Sequence, residues 1–180
     1  MTSKTVCYVF NGPAGSGKDT LASHIAGERI SIAEGVRIGA AKYFKYPGLI
    51  AASNDRNLKD LYNHHLGMTP RQALIHYSED IAKPQYGDNV FIHDAIVRIL
   101  PHEVTKVTDM GFQHELDLIC EAVDEVYLIK LYRDGCTFEG DSRNYVCGAL
   151  HRNCKTIHIQ VKEGEALEQS SEILRLCSGK

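Results

Sequence analysis

Asn11-Gly12-Pro13-Ala14-Gly15-Ser16-Gly17-Lys18-Asp19-Thr20 constrains this chain more than any other stretch. An apolar, β-branched run, Val6-Cys7-Tyr8-Val9-Phe10, precedes it. A helical pattern follows, with Leu21, Ala22, Ile25 and Ala26 on one face. A strand that ends in a glycine-rich turn and then enters a helix leaves a row of backbone N–H groups facing one spot. Those donors, the positive end of the helix and the ammonium of Lys18 make a cradle for phosphate. Gly12, Ala14, Gly15, Ser16, Gly17, Lys18, Asp19 and Thr20 are therefore the candidate nucleotide-binding residues, and Lys18 is placed to reach the β- and γ-phosphates. The usual pattern has Ser or Thr directly after the lysine. Here Asp19 stands there, and Thr20 follows one residue later.

A chain of 180 residues suits one domain with a substantial core. Its net charge of −3 gives no general attraction to DNA or RNA, so no nucleic-acid partner is expected. No apolar run approaches the length of about 20 residues that a membrane span needs, and the first residues lack a basic-then-apolar signal pattern. The expectation is a cytoplasmic protein with no membrane association. Of the six cysteines, Cys7 falls in the first strand and Cys120 in a predicted helix, where a small apolar side chain is welcome. Cys136, Cys147, His151 and Cys154 are a conceivable zinc quartet, but they lack paired Cys-x-x-Cys knuckles, and free thiols are the simpler reading.

Along the chain the pattern predicts a strand, a helix, a mostly helical middle, two strands separated by a helix, and a closing strand and helix. A short apolar stretch near Val36–Ile38 leads to Ala40-Ala41-Lys42-Tyr43-Phe44-Lys45. Helices are expected over 55–66 (ended by Gly67), from Thr69-Pro70 toward Pro84, and over 89–100. Val104–Asp109 reads as a strand ending in an acid, 115–122 as a helix and Val126–Leu131 as a buried strand. Residues 133–145 are polar and glycine-containing, and read as a loop over something. A last strand is expected over 156–159, then a helix that buries Leu167, Ser170, Leu174 and Cys177. Strands alternating with helices imply an α/β fold, a mostly parallel sheet covered on both faces. Its ligand would lie beyond the carboxyl ends of the strands, beside both the glycine-rich loop and Asp109.

The spelling around Lys18 narrows the class. Kinases acting on nucleoside monophosphates commonly place the hydroxyl two residues after the lysine, as Lys18-Asp19-Thr20 does, and no Asn-Lys-x-Asp guanine-reading motif is present. Thr69-Pro70-Arg71-Gln72-Ala73-Leu74 and Val107-Thr108-Asp109-Met110-Gly111-Phe112-Gln113-His114-Glu115 follow in order. Together these segments resemble the deoxynucleoside monophosphate kinases found in many bacteriophages, over roughly 6–133. That family has a Thr-Pro-Arg-x-x-Leu helix start and an Asp-x-Arg-Phe-x-x-Glu segment. Three departures stand out: Gly111 in place of the arginine, Ile75 and Ser78-Glu79 in place of the Gln and Gly-Thr after Thr-Pro-Arg, and Lys83 where an arginine is common.

The resemblance implies a three-layer P-loop NTPase fold in one domain, 1–180. It implies a helical insertion for the acceptor over about 40–102 and a lid-like loop over about 133–147. It also implies transfer of the γ-phosphoryl of Mg-ATP to a nucleoside or deoxynucleoside 5′-monophosphate, with ATP and Mg²⁺ as cofactors, and a homodimer as the usual assembly. For a phage protein the compartment is the host cytoplasm. Lys18, Asp109, Arg71, Arg133 and Arg143 are then the candidate catalytic residues. Asp19, Thr20 and Asp109 are candidate metal ligands, and Arg37, Lys42, Arg71 and Lys83 would line the acceptor site. Arg71 would grip the acceptor phosphate bidentately. Animal phosphomevalonate kinases also spell their loop Ser-Gly-Lys-Asp, so another small phosphorylated acceptor is the nearest alternative. A nucleotide-binding protein without turnover is the other, and the missing arginine at 111 is what favours it.

Overall fold

Five parallel strands form one sheet in the order β2-β3-β1-β4-β5, and this sheet settles the fold class as α/β. A computed structural model describes residues 4–179. Its strands are β1 (Val6–Asn11), β2 (Glu28–Ile30), β3 (Val104–Val107), β4 (Glu125–Tyr132) and β5 (Cys154–Gln160). The helices in chain order are α1 (Lys18–Ser23), α2 (Ile32–Tyr43), α3 (Gly48–Asn54), α4 (Pro70–His76), α5 (Lys83–Tyr86), α6 (Val90–Ile99), α7 (Gln113–Ala122) and α8 (Ala166–Ser178). The arrangement is consistent with a P-loop kinase-like fold.

The chain divides into two compact units. The sheet unit holds the described residues up to Ser31 and from Ile96 onward. Side chains alternate across each strand, so Phe10, Tyr127, Ile129, Leu131, Ile157 and Ile159 share one face. They pack there with Leu21, Ala22 and Ile25 at α1 and with Ile173 and Cys177 of α8. Each fully buried Leu or Ile contributes about 1.5–3 kcal/mol. The other face of β4 meets α7, which buries Leu116, Ile119 and Cys120. Because β1 lies in the middle, with β3 on one side and β4 on the other, the chain reverses direction of winding there. In open parallel sheets that reversal leaves the ligand crevice at the strands' carboxyl ends.

The helical unit is Ile32–Ala95. Its core is Ala40, Ala41, Leu49, Leu66 and Ala73, with Phe44, Tyr46, Met68, Leu74 and Tyr77 around them. Thr69 caps α4 as its sequence predicts: Gln72 N–H donates to Thr69 Oγ1 at 3.1 Å, and Gln72 Oε1 accepts from Thr69 N–H at 2.9 Å. The helix does not stop at Pro84. It widens into a π-helical stretch over Tyr77–Ala82 and continues as α5. The wider register suits a ring that offers no N–H to the ladder.

Four expectations are corrected. No helix forms over 55–66, because Asp55 Oδ1 takes the N–H groups of Asn57 and Leu58, and Asn63 Oδ1 takes those of His65 and Leu66. Side chains that satisfy the backbone locally compete with the helix. Val36–Ile38 is not a separate apolar segment but the middle of α2. The second strand is instead the three-residue Glu28–Ile30, unmarked in the sequence pattern. On α8 the buried face is Gln169, Ser170, Ile173 and Cys177, while Leu167 and Leu174 are exposed.

Candidate active site

The loop after β1 is built by close contact. A side chain at 12 would stand 2.7 Å from Ser16 Oγ and 2.9 Å from the carbonyl oxygen of Leu131 on β4, so only glycine fits. Gly15 and Gly17 have φ of 79° and 91°, a left-handed backbone that L side chains rarely adopt. Gly17 serves as the cap of α1, with its carbonyl accepting from Leu21 N–H at 2.9 Å. Ser16 is fully buried, and its hydroxyl has no hydrogen-bond partner among the described residues. Ala14 and Gly15 are exposed at the loop's crest.

Lys18 folds back across this loop, its ammonium donating to the carbonyl oxygens of Gly12 and Pro13, the latter at 2.7 Å. Partial burial lowers its pKa, and the nearby Arg143 guanidinium adds to that. Asp19, in the position where a hydroxyl is usual, is held by long-range partners. Its Oδ1 accepts from Arg29 at 2.7 Å and from the buried Thr108 hydroxyl at 2.7 Å. Thr20 is exposed beside it. Asp109, just past β3, accepts from Ser31 Oγ at 2.6 Å. Nothing in the sequence pattern marks Arg29 or Ser31, and the motif around Asp109 contains Thr108 without pointing it at Asp19. Only their approach in three dimensions shows these pairings.

Both candidate arginines of the loop after β4 reach this end of the sheet. Arg133 donates to the carbonyl of Gly15 at 3.1 Å. Arg143 pairs with Asp141 at 2.7 Å, which raises the arginine's pKa and holds the carboxyl down at about 2. The stem of Arg143 lies directly on Gly111, so a Cβ there would overlap it. The glycine that replaces the resembled family's arginine is thus the seat of another arginine. Glu115 explains the acid of that motif: its Oε2 accepts from Gly111 N–H at 2.9 Å and Phe112 N–H at 3.0 Å, capping α7. Burial pushes its carboxyl up, against those two hydrogen bonds.

The second half of that loop is fastened to the sheet unit. Asn11 Nδ2 donates to the Asn144 carbonyl at 3.1 Å, and Val146 N–H donates to Asn11 Oδ1 at 3.0 Å. Tyr145 Oη donates to the Leu131 carbonyl at 2.7 Å. Between loop and sheet lies a cavity of about 380 Å³, lined by Pro13, Tyr132, Arg133, Phe138, Asn144 and Tyr145 among others.

The other candidates lie in the helical unit. Arg71 holds Asp60 with two donors, Nε at 2.6 Å and Nη2 at 3.2 Å. Lys83 sits on both oxygens of Glu79, at 2.6 and 2.8 Å. Arg37 is half-buried on α2. Lys42 and Lys45 border an apolar cavity of about 310 Å³ with Ile38, Ala41, Pro47 and Ile50.

The donor set suits magnesium nucleotide. The left-handed glycines, the buried Ser16 hydroxyl and the ammonium across the loop fit a phosphate chain. The carboxylates of Asp19 and Asp109 and the Thr20 hydroxyl are hard oxygen donors. Among the described residues no group of three or more His, Cys, Asp or Glu side chains is arranged to hold a metal. Magnesium needs no such cage, since it is usually held by one or two carboxylates together with phosphate oxygens. The conceivable zinc quartet is not assembled: Cys136 lies by Gly15, while Cys154 lies against Gly148.

By sequence, the chain matches no family model and no curated protein. By structure, it is similar to an unliganded sugar kinase from Janibacter, with a TM-score of 0.41, 14% identity, and 98% of this chain and 97% of that one covered. It is also similar to the protein TT1252 from Thermus thermophilus, with a TM-score of 0.49, 11% identity, and 99% and 100% covered. Among the described residues no helix is long and apolar enough to cross a membrane.

Proposed function

We propose that this chain is an ATP-dependent phosphotransferase whose acceptor is a nucleoside or deoxynucleoside 5′-monophosphate. One observation carries the reading: a glycine-built loop at the carboxyl end of the middle strand, crossed by Lys18 and flanked by Asp19, Arg133 and Arg143. In phosphoryl transfer the protein does little covalent work, and rate comes from positioning and charge stabilisation. Lys18 would trade two loop carbonyls for β- and γ-phosphate oxygens. The backbone N–H groups around Gly15 and Gly17 would hold the same phosphates. Arg143, fixed by Asp141 and by its seat on Gly111, would neutralise charge on the transferring group. Arg133 would leave the Gly15 carbonyl to do the same. Asp19 and Asp109 with Thr20 would hold magnesium, which would supply further neutralisation of the phosphate oxygens. The cavity beside Pro13, with Tyr132, Phe138 and Tyr145 in its wall, is the candidate seat of the ATP base. The attacking oxygen belongs to a phosphate monoester, already anionic, so no general base is required of the protein.

The choice of nucleotide as acceptor rests on the resemblance of the two motifs. Thr69 and Glu115 of those motifs both act as helix caps, so they would be needed with any acceptor. A second reading, a phosphorylated acceptor with an aliphatic body, draws on the apolar cavity bordered by Lys42 and Lys45. A coupled ADP-release assay tests both, with Mg-ATP against dAMP, dGMP, dCMP, dTMP, modified pyrimidine monophosphates and phosphomevalonate. Lys18→Ala is the control. Turnover with a nucleotide that the control abolishes supports the first reading, and turnover with phosphomevalonate alone supports the second. ATP binding with no turnover on any acceptor overturns both and leaves a nucleotide-binding protein.

A further inference from the structure

Away from the phosphate loop, reactive side chains of the sheet unit converge once more. Cys120 in the last turn of α7 and Cys154 at the start of β5 lie thiol beside thiol. A side chain next to Cys154 ties the two segments together. Asn153 Nδ2, one residue before Cys154, donates to the carbonyl of Cys120 at 2.8 Å and to that of Val123 at 2.9 Å.

The two sulfurs are not equivalent. Cys120 is buried, and its thiol is pushed up by the Cys154 thiol beside it and by burial. Cys154 is half-buried and shifts the other way, because the neighbouring Cys120 thiol and the nearby His151 ring favour its thiolate. His151 is itself oriented, its Nε2 bonded to Asp117 Oδ1 at 2.8 Å. Cys154 Sγ rests on Gly148, where any Cβ would come within 2.6 Å of it. The residues beside that glycine, Cys147, Ala149 and Leu150, are exposed. A nucleophilic thiol with an oriented imidazole, backed by a second thiol in contact, is the arrangement that exchanges with disulfides.

We propose that Cys120 and Cys154 form a dithiol that small-molecule disulfides oxidise reversibly, with Cys154 attacking and Cys120 resolving. The Cys154 thiolate attacks one sulfur of a disulfide RSSR. That S–S bond breaks, RS⁻ leaves, and Cys154 becomes a mixed disulfide with SR. The Cys120 thiolate then attacks Cys154 Sγ and expels the second RS⁻. The two protons released by the cysteines go to the two leaving thiolates. In sum the dithiol loses two electrons, and one RSSR becomes two RSH. A hydrogen-bond chain ties this place to the loop that carries Arg143: Asp117 Oδ1 also accepts from Gln113 Nε2 at 2.8 Å, and Gln113 grips both the N–H and the carbonyl of Cys147.

The test treats the native full-length chain with oxidised glutathione and reads free thiols and disulfide-linked peptides by mass spectrometry. The expected result is loss of two thiols per chain, a Cys120–Cys154 linked peptide, and return of both thiols on reduction. Cys120→Ser should stop at one glutathionyl group on Cys154, Cys154→Ser should leave Cys120 unmodified, and His151→Asn should slow the reaction severalfold. Modification confined to Cys136 or Cys147 overturns the proposal. So does a Cys120–Cys154 link that appears only after the chain is unfolded. The unsubstituted chain gives the primary readout, so a variant that folds poorly does not weaken the test.

Discussion

The cation at the centre of the sheet unit's loop, Lys18, is held differently from the candidate cations of the helical unit. In the sheet unit Lys18 directs its donors at two neutral carbonyls, and Arg133 donates to a third while also facing the exposed Glu163 carboxylate at 3.6 Å. In the helical unit Arg71 and Lys83 are each matched, charge for charge, by a neighbouring carboxylate. An incoming phosphate displaces a carbonyl from an ammonium at little cost, since the anion is the stronger acceptor. Displacing Asp60 from a two-pronged arginine pair costs one charge-assisted bond for each one gained. Arg143 lies between these extremes: it is ion-paired, yet half-buried and wedged on Gly111. The lesson is that a cation's sequence position says little about its readiness for ligand. What it is holding decides that.

The largest effect should come from Lys18→Ala, which removes the ammonium lying across the loop. Turnover in the ADP-release assay should fall by about a thousandfold, the scale seen when one charge-stabilising donor is lost. A residual rate within tenfold would show that the carbonyl-bound lysine is structural, and the contrast between the units would collapse. Next comes Gly111→Ala. Its Cβ overlaps the Arg143 stem, so the loop must shift or strain, at about 1–3 kcal/mol by the usual cost of overpacking. Denaturant unfolding reads that loss, and turnover should drop with it. Equal stability and activity in the variant would mean that Arg143 does not need its seat.

Some of this was legible in the sequence and some was not, for identifiable reasons. The glycine-rich loop, Lys18, the capping of α4 and the buried run of β4 are local patterns, complete within a few residues. The sheet followed from the alternation of such runs. Residues 55–66 misled because Asp55 and Asn63 can satisfy the backbone either inside a helix or outside it, and only packing chooses. On α8 Ser170 and Cys177 are buried as the pattern predicts, but the exposed leucines and the buried Gln169 and Ile173 depart from it. The Ser170 hydroxyl donates to the Leu21 carbonyl, which gives a polar side chain a reason to be inside. Arg29 with Asp19, Ser31 with Asp109, and Arg143 on Gly111 join residues 10 to 78 positions apart, and no spacing rule announces them.

A middle-sized effect separates the two readings of Arg71. If its fork serves the acceptor phosphate, Arg71→Ala should raise KM for the acceptor roughly tenfold and leave kcat nearly unchanged. Asp60→Asn should then do the reverse and lower KM, because the guanidinium no longer has to shed a carboxylate. The thermal midpoint should hardly move in either variant, since both side chains are more than half exposed. If neither substitution touches KM, Arg71 is only the partner of Asp60, and the helical unit binds its acceptor elsewhere.

The smallest effect compares two aspartate–arginine pairs directly. Arg143 holds Asp141 at about 2, below the ordinary 3.8, and Arg71 lowers Asp60 as well. A carboxylate with a depressed folded-state pKa adds stability above its unfolded value and loses it as the pH falls through the folded one. The Asp141 contribution should therefore be whole above about 3.8 and gone below about 2. Asp141 is 23% exposed and Asp60 56%, so water screens the second pair more strongly. Carboxyl-carbon NMR titration should place Asp141 below Asp60. Unfolding midpoints taken between pH 4 and pH 2 should converge for wild type and Asp141→Asn more than for wild type and Asp60→Asn. Two identical titrations would mean that Gly111 gives Arg143 no shelter, and that the sheet unit holds this cation no differently from the way the helical unit holds Arg71.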